Sequence, residues 1–213
     1  MSGFSLNHGD IGGYTATTVP QLPFKIPMLG FTRGQELMLR WIELSAFTAV
    51  YRTHEGNQPG RNHQINDHPK TMEQFARFAR VYRALAPYRA GLMVESSERG
   101  YPVVRHPWLN FPEDNETINL RYQFMLGSEV MVAPVLDPKR DEVQLYLPAG
   151  RWVHLWSGQV LSSAGQRYTV VAPIGAPAVF IRESSSLAES LREALLENGD
   201  LAIDLPSEIV RQA

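Results

Sequence analysis

Near Gly100 the spacing of apolar residues changes, and this change constrains the fold more than any other feature. Before it, apolar residues between Met72 and Ala86 recur every three or four positions, the spacing of one helix face. After it, short β-branched and aromatic runs are separated by Pro, Gly, Asn and Asp. These runs are 102–105, 129–134, 142–147, 152–156, 167–171 and 178–182. An α/β region followed by an antiparallel β-sandwich is therefore predicted.

Three segments follow from this pattern. Residues 1–100 form the α/β part and residues 101–183 form the sandwich. Residues 184–213 are predicted to be a terminal helical tail, because four leucines share one side of a helix there. These leucines are Leu187, Leu191, Leu195 and Leu196.

The first segment contains two strand–loop–helix units. We expect residues 4–7 to be extended and the unbroken apolar run 46–51 to be a strand buried on both faces. Helices are predicted over 33–45 and from about 67 onward, with Pro87 dividing the second one and Gly100 ending it. The intervening residues 16–32 are rich in Thr, Pro and Gly, which is typical of an irregular excursion.

Composition excludes several classes of function. The 213 residues carry 20 basic and 22 acidic side chains, for a net charge of −2, so we expect no nucleic-acid partner. No apolar stretch approaches the roughly 20 residues of a membrane helix, and the first residues lack the pattern of a signal peptide. Cysteine is absent, which excludes disulfides and thiolate metal ligands. We expect a cytoplasmic protein without a membrane partner, and the sequence carries no signal for its oligomeric state.

Two polar loops each follow a short apolar run. The first is His8-Gly9-Asp10-Ile11-Gly12-Gly13-Tyr14, and the second is Arg52-Thr53-His54-Glu55-Gly56-Asn57. Polar residues in this position are typical of the carboxyl ends of neighbouring barrel strands, where substrates bind. We therefore expect the two loops to lie side by side.

Each loop also has an ordinary structural interpretation. An aspartate before two glycines is most often a turn residue that bonds its own backbone. His54, between Arg52 and Glu55, suits a substrate-binding donor or a structural histidine equally well. The residues alone also permit Asp10 and Glu55 to be the carboxylate pair that glycoside hydrolysis requires.

A metal site is a further option that the spacing does not favour. One loop region contains His8 and Asp10, and the other contains His54, His63, Asp67 and His68. The spacings of these residues match no ligand pattern such as H-E-x-x-H. The first loop also departs from G-x-G-x-x-G and from the P-loop. We expect neither a metal nor a cofactor.

Several stretches coincide, in order and spacing, with those of one enzyme family. The first loop resembles a G-x-D-I-x-G-aromatic segment after barrel strand seven, and Arg52-Thr53-His54 resembles an Arg-x-His segment after strand eight. Further matching stretches are 100–107, 123–127, 132–135 and 146–152. Over residues 3 to about 183 the chain is similar to the C-terminal part of glycoside hydrolase family 31, the α-glucosidase-like retaining enzymes.

The resemblance implies the last two βα units of a TIM (β/α)8 barrel, followed by the sandwich. The branch that cleaves sulfoquinovosides looks most similar, because it shares the tyrosine of the first loop, the Arg-Thr-His-Glu-Gly-Asn run and a segment like Tyr122-Gln123-Phe124. It implies that Tyr14 helps to bind a sulfonate and that Asp10 and His54 contact sugar hydroxyls. Arg52 and Glu55 are implied to support them.

The resemblance also implies that the catalytic nucleophile and acid/base, both aspartates, lie upstream of Met1. Asp10 and Glu55 are then not the catalytic pair, and the chain is expected to be a fragment that is inactive alone. Two alternatives stay open. The parent enzyme is a neutral α-glucosidase or α-xylosidase in one, and residues 100–183 are a free-standing carbohydrate-binding sandwich in the other.

Overall fold

The computed structural model describes residues 4–17 and 31–213, so most of the irregular excursion expected at 16–32 lies outside the described residues. The described chain has three layers. Helices form the first, a six-stranded sheet the second and a three-stranded sheet the third. The mixed α/β and all-β architecture is as predicted.

Among the described residues before residue 100 there are three α-helices, namely α1 (Gln35–Ser45), α2 (Pro69–Ala84) and α3 (Ala86–Arg99). At the start of α2, the His68 side chain accepts a hydrogen bond from the backbone N–H of Lys70 and so caps the helix. Pro87 lies in the first turn of α3, where its missing N–H is not needed. Gly100 ends α3 with a left-handed φ of 75°. The helices predicted on either side of Pro87 are confirmed.

The two strands predicted in the first segment are not formed. Residues 4–7 and 46–51 are turns or irregular chain, although half of the second run is buried. The two segments that follow them meet at a single parallel bridge between Ile11 and Thr53. A strand needs a continuous series of partners for its N–H and C=O groups, and among the described residues the two segments share this one isolated β-bridge. The apolar run 46–51 therefore packs without forming a ladder.

All strands of the second part pair antiparallel. The strands are β1 (Val104–Arg105), β2 (Phe124–Leu126), β3 (Val130–Ala133), β4 (Glu142–Leu147), β5 (Gly150–His154), β6 (Val160–Ser163), β7 (Gln166–Val171), β8 (Ala178–Arg182) and β9 (Val210–Gln212). One sheet has the order β1-β2-β3-β8-β5-β6 and the other the order β4-β7-β9. Each of the six predicted runs overlaps a strand, whereas β2, β6 and β9 were not predicted.

The six-stranded sheet is covered on both faces. One set of side chains packs with the helices, and the alternate set packs with the three-stranded sheet. The first set includes Leu126, Val130, Val132, Val179 and Ile181, and the second includes Met125, Met131, Ala133, Ala178 and Phe180. Strands buried on both faces read as continuous apolar runs, which is why β3 and β8 show no alternation in the sequence.

The C-terminal tail is helical only in its first half. Helix α4 (Ser186–Glu197) begins after Ser185, whose hydroxyl accepts the N–H of Leu187. Asp200 then pairs with Arg80 of α2, with 2.6 Å between Oδ1 and Nη2. The last residues form β9, which pairs with β7 at the edge of the second sheet. The helix predicted in the tail is present as α4, whereas β9 was not predicted because its three residues have no strand pattern of their own and pair with the edge of β7.

Within residues 4–17 and 31–213, no helix combines the length and the apolar character that a transmembrane span requires.

Candidate functional site

The two polar loops lie side by side. The backbone N–H of Ile11 donates to the carbonyl oxygen of Arg52 at 2.9 Å, next to the parallel bridge between Ile11 and Thr53. Farther along, the N–H of Asn57 donates to the carbonyl oxygen of Tyr14, also at 2.9 Å. These contacts place residues 10–14 directly beside residues 52–57, as expected for the ends of neighbouring barrel strands.

Asp10 is held by Arg52. Nε and Nη2 of Arg52 donate to the same carboxylate oxygen, Oδ1, at 3.2 and 2.8 Å. These hydrogen bonds hold the pKa of Asp10 below its usual value, so the side chain is a carboxylate at neutral pH. Among the described residues nothing donates to Oδ2 of Asp10, and this oxygen is therefore able to accept a hydroxyl from a ligand.

Tyr14 and His54 form the second pair. Their ring centroids are 5.0 Å apart, with the rings nearly perpendicular at 73°. The backbone N–H of Gly56 donates to Nδ1 of His54 at 3.0 Å, so the neutral imidazole carries its proton on Nε2 and presents a donor there. Tyr14 is 52% exposed, which leaves its phenol accessible to a ligand.

Glu55 takes a different position. Its side chain is exposed, and its contribution to the loop is a backbone carbonyl that accepts from Arg33 and Gln64. Within the described chain its carboxylate has no hydrogen bond or ion pair. The structure thus joins Asp10 to Arg52 and shows no contact between Asp10 and Glu55.

Three residues that sequence analysis missed hold the loops together. The side chain of Asn57 pairs with the backbone of Ala16, donating from Nδ2 at 3.0 Å and accepting at Oδ1 at 2.6 Å. Trp41 of α1 lies under Gly13, where a Cβ would meet its ring at 3.5 Å. The guanidinium of Arg33 contacts carbonyl oxygens of both loops. Asn57 stands in the Arg-Thr-His-Glu-Gly-Asn run, which was the one available signal for its importance.

The neighbouring histidines serve the fold. Nε2 of His63 lies 2.8 Å from the hydroxyl of Thr71, and His68 caps α2. In the part of the chain that the structure describes, no three His, Asp or Glu side chains are grouped so as to hold a metal ion.

Gly56 provides a direct check of the loop geometry. Its φ is 83°, and a Cβ there would lie 2.5 Å from Nδ2 of Asn62 and 2.9 Å from the carbonyl oxygen of Tyr14. We expect Gly56→Ala to lower the free energy of unfolding by about 1–3 kcal/mol, through backbone strain and displacement of Tyr14. Urea unfolding measures the change.

Gly60→Ala is the matched control, because Gly60 lies in the same loop region and a Cβ there meets nothing within 4 Å. It should change the free energy of unfolding by less than about 0.5 kcal/mol. Equal effects of the two substitutions would contradict the described path of the loop.

The tryptophans bear on the idea of a free-standing carbohydrate-binding sandwich. Trp152 and Trp156 are buried, at 1% and 3% exposure, and Trp108 is 43% exposed. Of these three, only Trp108 presents a ring on which a sugar is able to stack.

Two adjacent polar loops followed by two packed antiparallel sheets are the arrangement that the sequence resemblance implies. The sequence profile of the glycosyl hydrolases family 31 TIM-barrel domain matches residues 1–92, and that of the family 31 C-terminal domain matches residues 100–187. The chain belongs to glycoside hydrolase family 31.

Individual relatives have longer chains. The chain is 41% identical to the sulfoquinovosidase of Escherichia coli (strain K12) over 188 residues, which are 88% of this chain and 26% of that protein. It is 40% identical to the sulfoquinovosidase of Agrobacterium fabrum over 196 residues, 90% of this chain and 28% of that one. The chain thus spans about a quarter of the length of these curated relatives.

A solved structure shows the same relationship. A family 31 sulfoquinovosidase from E. rectale, in complex with an aza-sugar inhibitor, superposes with a TM-score of 0.81 at 37% identity. The match covers 92% of this chain and 27% of that chain.

Proposed function

We propose that this chain supplies substrate-binding loops to a retaining α-glycoside hydrolase that acts on sulfoquinovosides. The observation that carries the proposal is the pairing of Tyr14 with His54, next to the Asp10 carboxylate that Arg52 holds in place. The likeness to two relatives named sulfoquinovosidases supports it. The absence of cysteine is compatible with a cytoplasmic site of action, which is part of the proposal.

The chemistry of the loops suits this substrate. A sulfonate is a permanent anion with acceptor oxygens only, so it binds donors such as the phenol of Tyr14. A sugar hydroxyl both donates and accepts, and Oδ2 of Asp10 and Nε2 of His54 offer one acceptor and one donor. Arg52 fixes Asp10, and the backbone of Glu55 anchors the loop that carries His54.

The reactive carboxylates are a separate part of the proposal. A retaining glycosidase needs one carboxylate as nucleophile and another group as proton donor. Asp10 is a poor proton donor because Arg52 lowers its pKa. We propose that both reactive aspartates come from earlier barrel strands of a longer enzyme, next to which these loops lie. The 213-residue chain alone is therefore expected not to hydrolyse sulfoquinovosyl or glucosyl aryl glycosides.

A chimera tests the substrate assignment. Residues 4–183 of this chain replace the matching segment of the sulfoquinovosidase of E. coli, and kcat/KM is measured on aryl sulfoquinovoside and aryl glucoside. Tyr14→Phe removes a hydrogen bond to a charged group, so we expect kcat/KM for the sulfoquinovoside to fall about 10- to 100-fold. The glucoside lacks the sulfonate and should change by less than about threefold.

Tyr122→Phe is the control, because Tyr122 is 70% exposed in the sandwich part and its hydroxyl has no role in the proposed site. Equal losses on both substrates after Tyr14→Phe would remove the sulfonate assignment. They would favour the neutral α-glucosidase or α-xylosidase alternative. Turnover by the isolated 213-residue chain would overturn the proposal that the reactive carboxylates lie elsewhere.

A further inference from the structure

The guanidinium of Arg33 lies between the two loops. Nη1 donates to the carbonyl oxygens of Gly13 and His54 at 3.1 and 2.6 Å. Nη2 donates to the carbonyl oxygen of Glu55 at 3.3 Å. One planar group thus contacts the backbone next to Tyr14 and the backbone of His54 itself.

Arg33 is itself fixed by the segment that follows the second loop. Nε donates to the carbonyl oxygen of His63 at 2.6 Å, and Nη2 donates to Oε1 of Gln64 at 2.7 Å. Its backbone N–H donates to Oδ1 of Asn62 at 3.2 Å, and its carbonyl accepts from His63 at 3.0 Å. Each of the five guanidinium N–H groups therefore donates a hydrogen bond, and together these bonds hold the side chain in place.

The first loop passes directly over this group. Gly12 has a φ of 85°, and a Cβ there would lie 2.8 Å from Cδ and 3.1 Å from Nη1 of Arg33. The glycine therefore permits the approach that lets Gly13 accept from Nη1.

The environment of Arg33 is unusual for a residue that only stabilises a fold. The residue is 4% exposed, and its five acceptors in the described chain are neutral oxygens with no carboxylate among them. No carboxylate of the described chain contacts the guanidinium directly, although Asp67 acts on it at longer range. Burial lowers the pKa of Arg33, so its desolvation offsets much of what its hydrogen bonds contribute to stability. Arg33 does, however, fix the two loops relative to each other through its hydrogen bonds to their carbonyl oxygens.

We propose that Arg33 is a positioning residue that sets the placement of Tyr14 relative to His54, and this role rests on the proposed substrate site. The guanidinium spans the two loops with a rigid fork, which lysine lacks because its ammonium is a single point donor on a flexible stem. Arg33 touches no substrate. It acts through the carbonyl groups on which the two ligand-binding side chains depend.

Nuclear magnetic resonance of the 213-residue chain tests this inference with Arg33→Lys. We expect loss of the ring-to-ring nuclear Overhauser effects between Tyr14 and His54. Amide exchange of Asn57, whose N–H donates to Tyr14, should accelerate at least tenfold. Amides of β3 and β8 should change less than twofold.

Arg61→Lys is the matched control, because Arg61 is an exposed arginine of the same region whose guanidinium donates to the side chain of Gln58. It should leave the ring contact and the exchange rates unchanged. Retention of the Tyr14–His54 contact in a folded Arg33→Lys chain would overturn the inference. Equal acceleration in the loops and in β3 and β8 would also overturn it, since that is a purely structural effect.

Two substitutions at Gln64 keep the inference testable if Arg33→Lys does not fold. Gln64→Leu removes the acceptor for Nη2, whereas Gln64→Glu keeps an acceptor oxygen there; both remove the donations of Gln64 to the loop backbone. The ring contact should weaken with Leu and persist with Glu, and identical spectra of the two variants would contradict the inference. Neither measurement uses a sugar, so the outcome is independent of which glycoside the enzyme hydrolyses.

Discussion

Replacing Trp156 by alanine is expected to lower the free energy of unfolding by about 3–5 kcal/mol. Trp156 is 3% exposed and lies where the helical layer meets the six-stranded sheet. Its ring packs edge-on against Phe47 and Phe78, with centroids 6.5 and 5.8 Å away. Its Nε1 donates to the carbonyl oxygen of Pro177 at 2.6 Å, and the guanidinium of Arg77 lies 4.9 Å from the ring. Alanine leaves a cavity there and an acceptor without its donor.

Guanidinium chloride unfolding measures the loss, with Trp108→Ala as the control. Trp108 is 43% exposed, so its removal should change the free energy of unfolding by less than about 1 kcal/mol. Trp156→Phe keeps most of the apolar volume and loses the hydrogen bond to Pro177, and it should fall between the two. Comparable losses for Trp108→Ala and Trp156→Ala would show that the helices and the sheet do not share a core around Trp156.

Local sequence signals predicted the helices well because their causes are local. The apolar spacing before residue 100, Pro87 and the left-handed Gly100 act within a few residues of the elements that they define. The longer strands were visible for a similar reason, since their β-branched runs are bounded by turn residues.

Other elements depend on partners distant in the sequence. Strand β9 has three residues and forms because β7 offers an edge to it. The apolar run 46–51 has the composition of a buried strand, yet it has no ladder because the described chain provides no flanking strands. The residues of β9 and of the run 46–51 do not by themselves determine whether a strand forms.

Some residues of the site were recognisable from the sequence and others were not. Sequence reasoning singled out Asp10, Tyr14, Arg52 and His54, and the structure brings them together as two contacting pairs. The ligand roles assigned to them remain predictions. Arg33 gave no signal, because four of the five acceptors of its guanidinium are backbone carbonyls 20 or more positions away, and such contacts leave no pattern of residue types.

Glu43 is expected to make the stability of the chain fall as pH rises through the weakly acidic range. Its side chain is buried between α1, α2 and a loop of the sandwich. It accepts from Gln74 at 2.8 Å, from the N–H of Gly175 at 2.5 Å and from Arg40 at 3.2 Å. Burial raises the pKa of Glu43 to about 7, although these three donors oppose the shift. Arg77 of α2 is a further charged group that interacts electrostatically with Glu43.

The direction follows from proton uptake. In the unfolded chain this carboxyl titrates near the ordinary glutamate pKa of 4.5, whereas in the folded chain it holds its proton up to about pH 7. Its stabilising contribution is therefore complete below about pH 4.5 and is lost as the pH rises to about 7. The loss amounts to at most about 3 kcal/mol. Glu43→Gln cannot titrate and should lack this part of the pH dependence.

Urea unfolding at intervals from pH 4.5 to pH 8 compares the two chains. The free energy of unfolding of Glu43→Gln minus that of the parent chain should rise with pH up to about 7 and then level off. His154, whose pKa burial lowers to about 4, destabilises the folded state in acid, but it is present in both chains and cancels in the difference. Glu73→Gln, at an exposed position of α2, controls for the change in net charge. A difference that stays constant with pH would show that Glu43 is ionised throughout, held as a carboxylate by Arg40, Gln74 and Gly175.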